Sequence, residues 1–420
     1  MKKNLLVVLL AAVMLALCFG MANAADKVEL EFLFGDPNRT EIFQRIVDEF
    51  NDSQKDIYVT YTATGTNHLD TLMARLSSGD IPDITSQLQG FELQEYVNAG
   101  YIKNIKDEPY MKYIKPSQLA TVTYKDGIYG LPMDTQAYGI FYNKDLFAKA
   151  GIEGYPTTVT ELEEAVEKLN AAGITPFASG YATEWTIGQF LGYATAPIIT
   201  PKVVELGDNY KKGSFSFDIE GMDRAFDVLD LIIKNSQDRA GDTDVSGQYV
   251  AFASGQCAMM MQGNWSILQV RELNPDLDFG IFPVPVTEDP ADQVFPIQYG
   301  FVIDVLAASD DDPAKADAIN TFFDYFLNPE GGAAYYYDEI GVPTANQYIT
   351  DPKLDPASDI LQDFLAADKT VFTYYCYEPS GFDMESWKVT VDYINSGSFD
   401  HAQLIANFNA AFDKYADALQ

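Results

Sequence analysis

The residues of this chain best suited to chemistry are planar and polar rather than nucleophilic. Three tryptophans, Trp185, Trp265 and Trp387, stand beside polar neighbours in a sequence that is 13% aromatic. Indole faces with amides and carboxylates close by suit a ring that carries C–H patches on its faces and hydroxyls around its rim, as a sugar does. Each tryptophan could instead be a large core residue, and the residues alone leave both readings open. Reaction chemistry is poorly provided for. Two histidines, His68 and His401, and three cysteines disfavour a Ser-His-Asp or Cys-His device and a zinc site. No phosphate-binding Gly-Lys-Ser/Thr loop and no dinucleotide fingerprint follow a strand. The segment DTDVSG at 242–247 opens like a calcium loop, but Ala253 stands where the loop needs a glutamate, so it reads as a helix-capping turn. With 62 acidic residues, a two-carboxylate glycosidase is not excluded by spacing.

The elements that must position these residues alternate. VELEFLFG reads as a strand ending at Gly35, followed by a turn through Asp36, and Ile42, Phe43, Ile46, Val47 and Phe50 mark one face of a helix. IYVTYTA is a second strand, and Leu69, Leu72, Met73 and Leu76 mark a second helix that ends near Gly79. Strand, helix, strand, helix implies an α/β lobe with a mainly parallel sheet. A short strand after GDIPDI should carry Ser86, Gln87 and Gln89 at its carboxyl end. Ligand crevices in open α/β sheets lie outside those ends, which makes Asp36, Gln87 and Gln89 candidate contacts. Thr160 and Glu163 read as a capping box over Leu162, Ala165, Val166 and Leu169. Further helices are expected over 222–233, within 311–331 and at the carboxyl end, with buried strands before Trp265 and in FGIFPVPVTE. No repeat or low-complexity linker separates domains, although a mature chain of this length exceeds what one core usually serves.

The opening MKKNLLVVLLAAVMLALCFGMANA has the charge, apolar run and Ala-Asn-Ala site of a secretory leader cleaved after Ala24. Cys18 raises lipid anchoring, which the Leu17 before it disfavours. Cys257 and Cys376 would remain, as a pair or as free buried thiols. A formal net charge of −35 repels nucleic acid and anionic membranes and favours neutral or cationic ligands.

The run GIYGLPMDTQAYGIFYNKDLFAKAGI at 127–152 reads as an extended segment from Ile128, an interruption at Pro132, a strand from Tyr138 to Tyr142 and a short helix closed by Gly151. Together with GDIPDI and the FASGQCAMMMQGNW that ends in Trp265, it resembles the extracellular solute-binding proteins of carbohydrate ABC transporters, the family that includes maltose-binding protein. That resemblance implies a two-lobed α/β periplasmic-binding-protein fold of type II with a ligand cleft between the lobes. It implies crossings near 134–137, 298–301 and 328–331, hence a first lobe of 25–135 plus 300–328 and a second of 136–299 plus 329–420. It also places Gln136, its neighbour Asp134, and Tyr299 beside Gly300 at the crossings, and the three tryptophans at cleft positions. The function so implied is capture of a mono- or oligosaccharide for a membrane ABC permease, by a monomer without cofactor, metal or catalysis, in the periplasm or outside the cell. The rivals are a binding protein for a cationic solute such as a polyamine, and a secreted glycoside hydrolase.

Overall fold

The computed structural model describes residues 27–36, 39–212, 215–350 and 353–416, so the leader, Cys18 and the cleavage site lie outside the described residues. Eleven strands form in chain order: β1 (Val28–Phe34), β2 (Ile57–Ala63), β3 (Ile84–Ser86), β4 (Thr123–Tyr124), β5 (Gly127–Ile128), β6 (Leu131–Asn143), β7 (Thr175–Ala178), β8 (Cys257–Gly263), β9 (Phe279–Phe282), β10 (Phe295–Val305) and β11 (Thr370–Phe372). Nine of them join in one sheet of order β2-β1-β3-β10-β6-β8-β7, with β9 on β6 and β11 on β10, while β4 and β5 form a separate hairpin. β1 lies parallel to β2 and β3, β7 lies parallel to β8, and the long strands β6 and β10 are antiparallel.

Two cores flank the long pair. Helix Thr40–Ser53 buries Ile42, Phe43, Ile46, Val47 and Phe50, each worth ~1.5–3 kcal/mol of transfer free energy. They pack with Phe32, Ile84 and Phe322 to fill the first lobe. In the second lobe, Leu162 and Leu169 of helix Val159–Ala171 meet Phe177, Met259, Phe226 and Phe408. A further group around Phe141, Phe252 and Phe279 packs on the other side of the same strands. Strand β6 contributes Leu131 and Met133 to the first core and Ala137 and Phe141 to the second; β10 does the same with Phe301 and with Phe295 and Ile297.

Several expectations shift. Pro132 does not interrupt the segment: β6 runs unbroken from Leu131, with every residue buried and Pro132 opposite Val302, so the missing N–H costs the strand no break. The cap of helix Val159–Ala171 is Thr158, whose hydroxyl accepts from the Glu161 amide, two residues ahead of the Thr160–Glu163 box read from sequence. The third crossing also moves. Helix Gly332–Ile340 buries Ala333, Tyr336 and Tyr337 in the first core, and Pro343 and Ala345 accept bonds from Thr135 and Lys115. The chain meets Arg271 of the second lobe at Asp355, and helix Gly332–Ile340 touches helix Ile267–Leu273 on the way, so residues 329–345 pack mainly with the first lobe. Asp244 caps helix Val245–Ala253 through the Gly247 amide, the helix-capping role expected for DTDVSG.

Candidate functional site

On the first lobe the carboxyl ends of β1 and β3 are tied together from below. The Gly35 amide donates to Ser86 Oγ at 3.1 Å, and a methyl at Gly35 would lie 2.5 Å from the His68 ring. His68 is buried, contacts Thr64 Oγ1 at 2.8 Å and Ser86 O at 3.0 Å, and burial lowers its pKa to about 4. It is therefore a neutral strut, not an acid or a base. Gln87 stands in the left-handed region at φ 76°, and its side-chain oxygen lies over Gly35 without a hydrogen bond in the structure. A non-glycine residue held there is strained, and such strain concentrates where a side chain must be aimed.

Asp36 follows Gly35 and pairs with Arg39, which also binds Asp134. Asp36 lies within electrostatic reach of Tyr249, on a helix of the opposite lobe. Burial raises that phenol to about 12, a bond with Ser266 opposes the rise and the charge of Asp36 adds to it. At the crossing, Gln136 is buried and its side-chain oxygen accepts from Gln298 at 3.2 Å. Gly300 is obligatory here, since a methyl would lie 2.0 Å from Gln136 Cγ and 2.2 Å from Asp134 Oδ1.

The second lobe supplies aromatic rings. Tyr138 stacks on Tyr193 at 4.7 Å, Trp265 lies 5.8 Å from Tyr193, and Tyr375 lies 5.0 Å from Tyr193 on another side. The Trp387 indole N–H donates to the Tyr375 hydroxyl at 2.7 Å. Glycines admit these rings: methyls at Gly188, Gly192 and Gly263 would collide with Trp387, Tyr375 and Trp265. Both tryptophans keep part of their surface exposed, as does Trp185 at the start of the short helix Trp185–Gln189, which packs on the helix carrying Trp387. This wall runs from the crossing strand, at Tyr138, to the segment that touches the first lobe. There Gly90 packs on the Cys376 carbonyl, Phe91 lies 5.8 Å from Tyr377, and Ser380 Oγ donates to Glu92 at 3.4 Å. Glu92 and Glu378 are both pushed up, by burial first and Asp383 next, with Glu95 adding to the rise of Glu92, to about 8, and Glu92 adding to that of Glu378.

Of the residues singled out from sequence, the three tryptophans fall on this wall or its edge. Asp36 and Gln87 fall at the first lobe's strand ends. Three do not serve as read. Tyr299 is 1% exposed, with its hydroxyl between Ser117 O and the Ala120 amide and its ring against Phe372, so it belongs to the first lobe's interior. Asp134 is fully buried in the pair with Arg39 and in a bond from Tyr336. The Gln89 amide donates to Tyr299 O and its oxygen accepts from Thr121 and from the Cys376 thiol, which commits the side chain to protein partners. Reasoning from sequence missed Arg39, Tyr138, Tyr193 and Tyr249. Glycines at 188 and 192 were the available signal for rings in that place. Cys257 and Cys376 are both buried and unpaired. Among the described residues no group of His, Cys, Asp and Glu could hold a metal ion, and no helix is long and apolar enough to cross a membrane.

Two lobes on shared crossing strands, with polar side chains at the strand ends of one and aromatic rings on the other, define a solute-receptor architecture. Residues 36–333 match the bacterial extracellular solute-binding protein family, and the chain belongs to it. It is similar to the multiple sugar-binding protein of Streptococcus mutans, 26% identical over 290 residues that cover 66% of this chain and 67% of that one. It is also similar to the melibiose/raffinose/stachyose-binding protein MelE of Bacillus subtilis, 23% identical over 86% of this chain and 88% of the relative. In fold it matches the solute-binding protein RafE in complex with raffinose, with a TM-score of 0.79 at 23% identity, covering 93% of this chain and all of the other.

Proposed function

We propose that this protein captures a neutral sugar, with raffinose, stachyose and melibiose as the first candidates, in the cleft between its lobes and delivers it unaltered to a membrane ABC permease. The observation that carries the reading is the aromatic wall beside the crossing strand, in which the partly exposed Trp265, Tyr375 and Trp387 are backed by the buried Tyr138 and Tyr193, with Gln87 and Asp36 at the strand ends of the other lobe. Rings take the C–H faces of a sugar while in-plane polar groups take its hydroxyls. A sugar held by both lobes stabilises the closed form by the contacts it makes only there, a population shift rather than a push. The names of the relatives support the class of ligand. We take the protein to be a monomer outside the cytoplasm, released after Ala24 and not anchored through Cys18. It performs no catalysis on the bound sugar.

The carboxylates Glu92, Glu378 and Asp383, pressed together without a basic partner in the structure, favour a second reading in which the ligand is a cation such as a polyamine. Calorimetry with a sugar panel and a polyamine panel decides between them. Binding of a sugar with contraction of the small-angle scattering envelope supports the first, and binding of polyamines alone defeats it. Release of a shortened sugar on prolonged incubation would show a hydrolase instead.

A further inference from the structure

Arg39 is 2% exposed, yet it reaches three elements. One terminal nitrogen pairs with Asp36 in the turn after β1, the other donates to Asp134 Oδ2 on the crossing strand at 3.0 Å, and Nε donates to the Tyr336 hydroxyl at 3.1 Å. The guanidinium also lies 6.0 Å from the Phe301 ring of the other crossing strand. Tyr336 in turn donates to Asp134. The planar fork of arginine is what permits one cation to serve two carboxylates in fixed directions. Folding alone does not call for this arrangement, because buried ion networks are often replaced by apolar side chains without loss of stability. The network has a direction: Asp134 is fully enclosed, whereas Asp36, buried but not sealed, stands at the strand end, within reach of Tyr249 from the opposite lobe.

We propose that Arg39 is a positioning residue for ligand recognition, holding the Asp36 carboxylate at the cleft and joining it to the crossing strand through Asp134. This deepens the sugar-binding reading and rests on it. The charged or titratable groups facing Asp36 are Arg39, Asp134 and Tyr336, with Tyr61 from β2 and Tyr249 from the second lobe, and His68 lies over the preceding glycine. Arg39 is held charged against burial by Asp134, Tyr336 and Asp36. Without it, Asp36 and Asp134 share a buried space with no counter-charge, and burial pushes Asp134 further towards its neutral form.

The test is raffinose affinity from pH 5 to 8 by calorimetry on the mature protein and on Arg39→Gln, Arg39→Lys, Asp36→Asn and the Arg39→Gln/Asp36→Asn double variant. Arg39→Gln should weaken binding at least tenfold, with a loss that varies across this pH range. Asp36→Asn should weaken it by a similar factor at every pH, and the double variant should be within about twofold of Asp36→Asn. Arg39→Lys, which keeps the charge without the fork, should fall between and stay folded. Arg39→Gln binding like the wild type, or single losses that multiply in the double variant, would overturn the proposal. If Arg39→Gln does not fold, wild-type affinity in Arg39→Lys overturns it equally. A wild type that binds no sugar refutes the ligand reading instead. Arg39 is then judged in ligand-free protein by the carbon-13 chemical shift of the Asp36 carboxyl at neutral pH, and a shift unchanged in Arg39→Lys overturns its role.

Discussion

At the scale of single residues, the side chains that matter are those whose geometry is held at a cost. Gln87 occupies a backbone conformation that glycine adopts freely, and its amide has no hydrogen bond to satisfy within the structure. Gln87→Gly should therefore stabilise the ligand-free fold by ~0.5–1 kcal/mol in chemical denaturation while weakening sugar binding. Stability and affinity falling together would mean that the side chain packs instead of recognising. Trp265 rests against Tyr138 and Tyr193 but keeps an exposed face. Trp265→Ala should reduce sugar affinity by ~1–3 kcal/mol, as aromatic anchors do, with a smaller change in unfolding free energy. Both the crevice rule and nearness to a crossing also picked residues that bond inside a lobe, Gln89 by the first and Tyr299 by the second. Asp36 and Gln87 lie at strand ends as the crevice rule demands. Tyr299, in contrast, alternates inward on β10, and a position next to a hinge says nothing about which face of a strand a side chain takes.

At the scale of elements, helices were legible because an apolar face repeats over several turns, as in Thr40–Ser53 and Pro313–Phe326. Less legible were features fixed by partners distant in sequence. The unbroken course of β6 through Pro132 depends on Val302, and the first-lobe address of helix Gly332–Ile340 depends on Phe43 and Met133. The register of β6 and β10 slips at Gly300, where two side chains of β6 fill the place of the missing one. Gly300→Ala should destabilise the protein by ~2 kcal/mol in equilibrium unfolding, since the clash is with the buried side chains of Gln136 and Asp134, which are held by Gln298 and Arg39. The helix Gly90–Asn98 carries a second prediction. Burial, and then Asp383 and Glu95, raise Glu92 to about 8, so its neutral form is the one this contact favours. A carboxyl raised in the folded state contributes stability that is complete below its ordinary range near 4.5 and is lost as the pH climbs through 8. Glu92→Gln should thus raise the thermal midpoint at pH 8 by several degrees and have little effect at pH 5. An equal gain at both would assign the effect to packing.

At the scale of the whole molecule, the two lobes share a sheet, and the strands that join them are buried along most of their length. Motion is thereby confined to bending of β6 and β10 near Gly300, with the later passage between helix Gly332–Ile340 and Asp355 following. A net charge of −35 surrounds this assembly and opposes self-association. The two thiols inside the second lobe have a separate consequence. Burial pushes Cys257 and Cys376 up to about 12, and neither is in a disulfide. Their reaction with a disulfide reagent should be slow in native protein and complete, at two equivalents, once guanidinium unfolds it. Maturation then calls for no oxidase or isomerase, and the receptor should assemble equally well in anaerobic surroundings or in a reducing cytosol.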